Sequence, residues 1–322
     1  MFICPCCGSS ESRPACTVVD RLYRTTDRKF ELRECQACGA VFLWPIPNEA
    51  ELAGFYPPGY WWQTDSASEP SGAWSGLLQT YRQLMVASHV RRIKRLTESS
   101  AATCNRLLDV GCGDGLFLAS CQPLRLAAIG LDRSFDALRA ARRRSGLGLI
   151  QGRVDTLPFA DESFRLITLF HVLEHLPAPN LFLQEARRLL VPGGWLVVQV
   201  PNAASLQRRL LGRYWEGFEA PRHLVNYSER SLGLLLGGQG FRVAHVDHFS
   251  IRDNPALLAR SFLPHLYPLA RRVGARRGKA ESWTNSLLDV AYLLLVVLAI
   301  PWASFESLLG HGATIVVQAR KA

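Results

Sequence analysis

The pattern of apolar and polar residues changes sharply at Arg106. From there to Val200, apolar runs of strand length alternate with segments whose apolar residues recur at helical spacing. The runs predict five strands, at 106–110, 126–132, 148–151, 164–170 and 194–200. Helices are predicted between them near 116–121, 134–144 and 179–190, with Ser134 as an N-cap and Pro179 in a first turn. This alternation predicts a parallel sheet with helices on both faces.

The flanking segments follow other patterns. Residues 44–75 are rich in Pro, Gly, Ser and aromatics and predict an irregular connector, which leads into a helix over about 74–98. After the alternating region, a helix at 228–238 and strands at 241–249 and 314–319 are predicted. The predicted division of the chain is into residues 1–43, a connector and helix at 44–98, a core at 99–250, an insertion at 251–312 and a last core strand at 313–322.

Cysteines are concentrated at the start of the chain. Of the nine, six fall within residues 1–38 and include two C-x-x-C-G turns, formed by Cys4 and Cys7 and by Cys35 and Cys38. Four thiolates on two tight turns predict a closed, structural zinc site between short strands at 17–22 and 29–34, which is a zinc ribbon. Cys6 and Cys16 are interpreted as ordinary thiols. The odd total and the lack of a secretory leader favour a reducing, cytoplasmic setting.

Charge is distributed as unevenly as cysteine. The formal net charge is +10, and residues 201–280 hold 13 basic and 5 acidic side chains, whereas residues 1–60 hold 6 and 7. A basic excess is compatible with nucleic acid, an anionic membrane surface or an anionic substrate. Scattered solvent-exposed arginines are an equally simple explanation. The local excess favours a membrane surface or an anionic acceptor over nucleic acid.

The loop after the first core strand carries the clearest chemical signal. It contains Asp109, Gly111, Gly113 and Gly115, and glycines at this spacing let the backbone approach a ligand at a helix amino terminus. The dinucleotide fingerprint would require a third glycine at the position of Leu116. G-x-G-x-G after an aspartate fits S-adenosylmethionine instead. Asp132 ends the second strand, where it can accept both ribose hydroxyls, and Asp155 follows the third, where it can accept from an adenine amino group.

Further motifs follow in order. They are the segments 156–167 (TLPFADESFRLI), 171–176 (HVLEHL) and 188–196 (RLLVPGGWL). The ordered set resembles the class I S-adenosylmethionine-dependent methyltransferases, which implies an α/β fold with a Rossmann-like seven-stranded sheet, here preceded by the zinc ribbon. Arg165 departs from the family pattern, which usually has aspartate there.

The resemblance also implies roles for individual residues. Gly111, Gly113 and Gly115 would line the methionine moiety, with Asp109 behind them. The remaining cofactor contacts implied are Asp132 at the ribose, Asp155 and Leu157 at the adenine, and His171 at the sulfonium end. His171, His175 and His223 are candidates for a general base, of which His223 and His171 are preferred. The alternative for His223 is a structural role, in which it caps the following helix or bonds backbone.

The insertion contains a strongly apolar run of sixteen uncharged residues, 290–305, behind a basic group at 271–279. Sixteen residues are short for a membrane span, and one crossing would separate two strands expected to pair. We therefore predict peripheral contact with a membrane through 271–305, at the cytoplasmic face. The alternative is a buried helical subdomain or a dimer surface.

These observations favour a methyltransferase that acts on a small, saccharide or lipid-linked acceptor. A ribosomal RNA methyltransferase is the alternative, because some of those enzymes resemble this chain in carrying a zinc finger. Against it, residues 1–60 have a net charge of −1, and Phe170-His171 stands where amino-directed base methylation prefers N-P-P-Y/F. A non-catalytic cofactor-binding protein is a third possibility.

Overall fold

The computed structural model describes residues 2–57, 60, 73–98, 104–144, 146–154, 156–274 and 283–322. The strands are β1 (Ser12–Val18), β2 (Phe30–Cys35), β3 (Val41–Trp44), β4 (Arg106–Val110), β5 (Ala127–Asp132), β6 (Gly148–Gln151), β7 (Phe164–Phe170), β8 (Leu190–Pro201), β9 (Val225–Asn226), β10 (Phe241–Asp247) and β11 (Thr314–Lys321). The helices are α1 (Glu49–Gly54), α2 (Ala73–Glu98), α3 (Leu116–Ser120), α4 (Phe135–Ala141), α5 (Pro179–Leu189), α6 (Leu206–Leu211), α7 (Glu229–Gly238), α8 (Asp253–Phe262), α9 (Pro268–Gly274) and α10 (Trp283–Leu308).

The larger sheet has seven strands in the order β10-β11-β8-β7-β4-β5-β6. Strands β4 to β8 pair in parallel, and β11 pairs antiparallel with both β8 and β10. The predicted α/β fold class and seven-stranded sheet are therefore confirmed. The order changes direction at β4, so the carboxyl ends of β4 and β7 form the crevice where ligands of such sheets bind.

Alternating side chains of this sheet enter two separate cores. On β4, Leu108 packs into a core that helices α5 and α7 cover, whereas its neighbour Leu107 packs against α2, α3 and α4 on the other face. Burial on both faces explains why the central strands read as continuous apolar runs. On α2, the predicted apolar positions His89, Ile93 and Leu96 are buried; the side chains predicted at Leu77, Leu78, Tyr81, Leu84 and Met85 lie outside what the structure describes.

The amino-terminal strands form a second sheet, in the order β1-β2-β3-β9. Its first two strands are shifted from the predicted ranges. β1 begins five residues before the predicted 17–22, and β2 begins one residue after the start of the predicted 29–34. The strand β3 follows the second cysteine turn and pairs with β9, a two-residue strand that comes from the segment after β8. We call residues 2–44 the ribbon; its apolar side chains Phe42 and Leu43 are buried in the same core as α5 and α7.

The insertion lies between the paired strands β10 and β11 and consists mainly of helices. Helices α8 and α10 pack through a small core of their own around Ala259, Tyr292 and Val296. Arg271 on α9 forms an ion pair with Asp289 on α10. The uncharged run 290–305 thus belongs to a longer helix, 283–308, that contains Pro301.

Candidate functional site

The glycine loop forms a tight turn between β4 and α3. Gly111, Gly113 and Gly115 have φ angles of +73°, +55° and +71°. In this region of φ the backbone of residues other than glycine is strained. A Cβ at Gly111 would lie 2.5 Å from Cγ2 of Val172, whereas one at Gly113 would meet nothing within 4 Å. The middle glycine therefore borders open space, and its backbone can be approached by a ligand.

Asp132 connects this loop to the end of β5. Its Oδ2 accepts a hydrogen bond from the Gly113 amide at 2.9 Å, and its Oδ1 accepts one from the Ser134 amide at 2.8 Å. Burial raises the pKa of this carboxyl, although the amide donors oppose the shift. Each carboxylate oxygen has a second lone pair, so the group can still accept from a hydroxyl.

Asp109 lies behind the loop and bonds within the sheet. It accepts a hydrogen bond from the Thr168 hydroxyl on β7 at 2.6 Å, and burial raises its pKa to about 7. Its visible contact is thus a structural link between β4 and β7. In the loop after β6, Leu157 is buried and its amide donates to Glu185. Asp155, the predicted adenine partner in the same loop, lies outside the described residues.

His171 follows β7 at the crevice and has a left-handed φ of +59°. Its Nδ1 lies 3.3 Å from Oε1 of Glu174, and its Nε2 lies 3.4 Å from Oδ1 of Asp253. Burial alone lowers the pKa of His171, but the two carboxylates outweigh it and raise the pKa to about 9. The two carboxylates thus favour the protonated form of this imidazole.

His223 lies in the segment that leads into β9, close to His175. The two rings are 4.7 Å apart, edge to face, and Nε2 of His223 is 4.0 Å from Oε1 of Glu174. Nδ1 of His223 bonds the Gly217 carbonyl at 2.8 Å. Burial lowers the pKa of His223 to about 4, so its imidazole is neutral and Nε2 carries a lone pair.

A buried ion pair attaches the ribbon to this segment. Arg222 is fully buried and donates to both oxygens of Asp20, at 2.7 and 3.0 Å, and to the Phe55 carbonyl at 3.1 Å. Asp20 also accepts from the Thr25 amide and hydroxyl. The ribbon thus fixes the backbone of the residue next to His223, beside the crevice.

The predicted zinc ligands form one cluster. Ligand atoms of Cys4, Cys7, Cys35 and Cys38 all lie within 4.8 Å of one another, with Sγ–Sγ distances of 3.6 Å for the pairs Cys4–Cys38 and Cys7–Cys35. Four sulfurs about 2.3 Å from a tetrahedral zinc ion stand roughly 3.8 Å apart. These two distances are within a few tenths of an ångström of the value for zinc, and all four sulfurs lie within 4.8 Å of one another, so the thiols fit a zinc site.

The structure brings together several predicted residues and adds others that the sequence pattern did not reveal. Gly113 and Asp132 meet directly, and Glu174 lies between His171 and His223. Glu174 could have been noticed from its place in the 171–176 motif. Asp20 and Asp253 carry no local signal, since each acts across more than 80 residues of sequence.

Comparison with known proteins gives consistent matches. A family model described as a methyltransferase domain matches residues 78–246, just over half of the chain. The ubiquinone biosynthesis O-methyltransferase of Chelativorans sp. is 28% identical over 147 residues, which cover 44% of this chain and 57% of that protein. The demethylmenaquinone methyltransferase of Renibacterium salmoninarum is 36% identical over 111 residues, which cover 34% of this chain and 47% of that protein.

Among solved structures, a SAM-dependent methyltransferase from Archaeoglobus fulgidus matches with a TM-score of 0.47 and 18% identity, over 73% of this chain and 94% of that one. The chain spans about half the length of the curated relatives named above.

Proposed function

Because the chain belongs to the methyltransferase-domain family, we propose that it transfers a methyl group from S-adenosylmethionine to a small, lipid-linked acceptor at a membrane surface. One observation carries the cofactor assignment. The glycine loop leaves Gly113 facing open space, and Gly113 is bonded to Asp132 at the carboxyl ends of two adjacent parallel strands. That arrangement presents backbone and a carboxylate to one ligand.

In this proposal, the loop glycines Gly111, Gly113 and Gly115 line the methionine moiety, and Asp132 accepts from the ribose hydroxyls. Asp109 maintains the loop through Thr168. Asp155 and Leu157 lie at the adenine and His171 at the sulfonium. The cofactor supplies an electrophilic methyl group on a sulfonium, and the protein holds the acceptor in line with it while excluding water.

Cofactor binding can be tested with a matched pair of variants. Asp132→Asn should weaken binding of S-adenosylhomocysteine at least tenfold, about 1.4 kcal/mol. The asparagine amide has only one oxygen, so it can accept a hydrogen bond at one of the two positions where the carboxylate accepts. Asp136→Asn on the neighbouring helix α4 is the control. The measurement is calorimetric titration at pH 7.5. Equal affinities for the two variants and the wild type would contradict the proposed ribose contact.

Transfer to a hydroxyl requires that its proton be removed. As the acceptor oxygen bonds the methyl carbon, the carbon–sulfur bond breaks, the sulfonium becomes the thioether of S-adenosylhomocysteine, and the hydroxyl proton goes to a base. Of the two preferred histidines, His223 is the better candidate to accept it, because burial lowers the pKa of His223 whereas two carboxylates raise the pKa of His171. An unchanged methylation rate in His223→Ala would rule out His223 as the base.

Zinc is proposed as a structural ion in the ribbon. Cys4, Cys7, Cys35 and Cys38 would occupy all four tetrahedral positions and leave no site for a substrate. The small size of the ribbon supports this assignment, since modules of about 40 residues commonly derive their folding free energy from metal binding.

The proposed membrane contact rests on helix α10. Its segment Leu287–Leu308 has a mean hydropathy of 2.1, yet only 17% of the most apolar window is buried. Exposed apolar side chains recur along one face, at Leu287, Leu294, Leu298, Phe305 and Leu308. The strands β10 and β11 pair along their lengths on either side of the insertion, which favours a helix lying along the bilayer surface over one that crosses it.

The contact can be tested by sedimentation with vesicles. Wild type should co-sediment with vesicles that contain anionic phosphatidylglycerol and bind less as salt is raised, because the basic residues near 271–279 would contact the headgroups. The double variant Leu294→Gln/Leu298→Gln should lose at least tenfold in partitioning. Wild type that stays in the supernatant at low salt would contradict the proposal.

The acceptor can be identified by transfer of a labelled methyl group. We expect methyl-tritiated S-adenosylmethionine to label the lipid extract, in preference to polysaccharide and total RNA, of cells that express the chain. The names of the quinone-pathway relatives support a lipid-linked acceptor. Label confined to RNA would instead support the ribosomal alternative, and cofactor binding without any labelled product would support a non-catalytic role.

A further inference from the structure

A second cluster of metal-type ligands lies at the crevice. Glu174 and His175 end the short turn after β7, and His223 comes from the segment before β9. One ligand atom from each of the three lies within 4.8 Å of the others. The cluster contains no cysteine, so its chemistry differs from that of the ribbon.

Both histidines are oriented by backbone carbonyls. Nδ1 of His223 lies 2.8 Å from the Gly217 carbonyl oxygen, and Nδ1 of His175 lies 3.0 Å from that of Arg222. A carbonyl can only accept, so Nδ1 carries a hydrogen in each ring, and Nε2 is the nitrogen through which either ring could bind a metal. Histidines that bind metals are held in this way, with the second ring nitrogen donating to a carbonyl or carboxylate.

Glu174 supplies an independent observation. Its side chain is fully buried, and Oε1 lies near His171, but Oε2 has no hydrogen-bond partner among the residues that the structure describes. A buried carboxylate oxygen without a partner is costly and calls for a ligand. Coordination of a cation would satisfy it.

The geometry needs little adjustment to accept an ion. Oε1 of Glu174 and Nε2 of His223 are 4.0 Å apart. Ligands about 2.05 Å from a tetrahedral ion are roughly 3.3 Å apart, and those of an octahedral ion about 2.9 Å. These two atoms must approach each other by about 0.7 Å for a tetrahedral ion or about 1.1 Å for an octahedral one, and the ligand atom of His175 lies within 4.8 Å of both.

We propose that Glu174, His175 and His223 bind a divalent transition-metal ion, separate from the ribbon zinc. Two imidazoles and one carboxylate suit Zn²⁺, Mn²⁺ or Fe²⁺ and leave coordination positions open. This step rests on the proposed function: the open positions would take the oxygen of the acceptor hydroxyl, whose pKa a bound cation lowers, so that its proton passes to solvent before methyl transfer. In that case His223 acts as a ligand, and the base assigned to it above is not required.

Mn²⁺ is a suitable probe for this site, because thiolates bind it weakly in comparison with nitrogen and oxygen ligands. We expect zinc-loaded wild-type chain to bind one equivalent of Mn²⁺, seen as loss of the free Mn²⁺ signal in electron paramagnetic resonance. Glu174→Gln and His223→Gln should each weaken binding at least tenfold. His245→Gln, which removes an exposed histidine outside the cluster, should bind as wild type does.

Two further measurements keep the result interpretable. Thermal unfolding and S-adenosylhomocysteine titration identify variants that have lost their fold, and His175→Gln provides a third ligand substitution. Mn²⁺ binding that is absent from folded wild type, or equal in wild type and folded Glu174→Gln, would overturn the site. Specific Mn²⁺ binding without any methyl transfer would preserve the site and contradict only the proposed function.

Discussion

The ribbon and the insertion both pack beside the central sheet, but different kinds of interaction attach them. The ribbon joins the core through a buried ion pair, Asp20–Arg222, and through backbone pairing of β3 with β9. The insertion presents an apolar face outwards, with Leu298 75% exposed, while Val296 on the other side of the same helix is 5% exposed. Directional polar bonds fix the ribbon in one orientation, whereas the outward face of α10 is apolar and exposed.

The largest effect should follow loss of the ribbon metal. Cys35→Ser, or removal of zinc by a chelator, should unfold the ribbon, because structural zinc sites contribute on the order of 10 kcal/mol. Hydrogen exchange of the amides in β1 and β2 measures this directly. Cys16→Ser, in the same ribbon but outside the cluster, should leave exchange unchanged; comparable exchange in both variants would show that the four thiols hold no structural metal.

Breaking the buried ion pair should have the next largest effect. Arg222→Met leaves Asp20 charged and buried, which costs about 3–5 kcal/mol. The measurement is the midpoint of urea unfolding. The control is Arg28→Met, which removes an exposed pair with Glu51 and should leave the midpoint unchanged. Equal midpoints for the two variants would mean that the ribbon is not attached through Arg222.

The same pair should make stability depend on pH. Burial alone would raise the pKa of Asp20, but Arg222 and Thr25 outweigh it and hold the pKa below its ordinary value. The stabilisation is therefore complete above about pH 4, the unfolded value, and is lost as pH falls through the lower folded value. In urea unfolding from pH 6 to pH 2.5, wild type should lose more stability than Asp20→Asn. An equal loss of unfolding free energy with falling pH in wild type and Asp20→Asn would contradict the lowered pKa of Asp20.

The smallest effect should come from the outer face of α10. Leu298→Gln should change the free energy of unfolding by less than about 0.5 kcal/mol, while Val296→Ala on the inner face should cost about 2 kcal/mol. Urea unfolding without lipid compares them. A large loss in Leu298→Gln would show that this face is buried against protein.

The sequence predicted the parts of the site that depend on local chemistry. Gly113 must adopt a positive φ, Asp132 must follow a strand, and four cysteines on two turns define a cluster, so each could be recognised within a few residues. The fold followed from the alternation of strands and helices between 106 and 200. Ser134 and Ser228 begin helices as predicted, because N-caps are local.

The remaining features depend on contacts across long stretches of sequence. β9 has two residues, too few for any periodicity, and it becomes a strand only because β3 is beside it. In the sequence, nothing distinguishes Arg222 from the other basic residues of 201–280. Its role depends on the ion pair with Asp20. Likewise, nothing near Asp253 indicates that it reaches His171. The apolar run at 290–305 indicated a segment for a membrane surface or a protein interior, but it could not distinguish the buried face of α10 from its exposed face.

The pairing of β3 with β9 also constrains how the chain is made. A ribosome produces β3 about 180 residues before β9, which at roughly 5–20 residues per second is an interval of about ten to forty seconds. During that time the Val41–Trp44 edge has no partner on one side, and apolar edges of this kind promote aggregation. We therefore expect newly synthesised chains to be prone to aggregation until the segment that carries His223 emerges and completes the sheet.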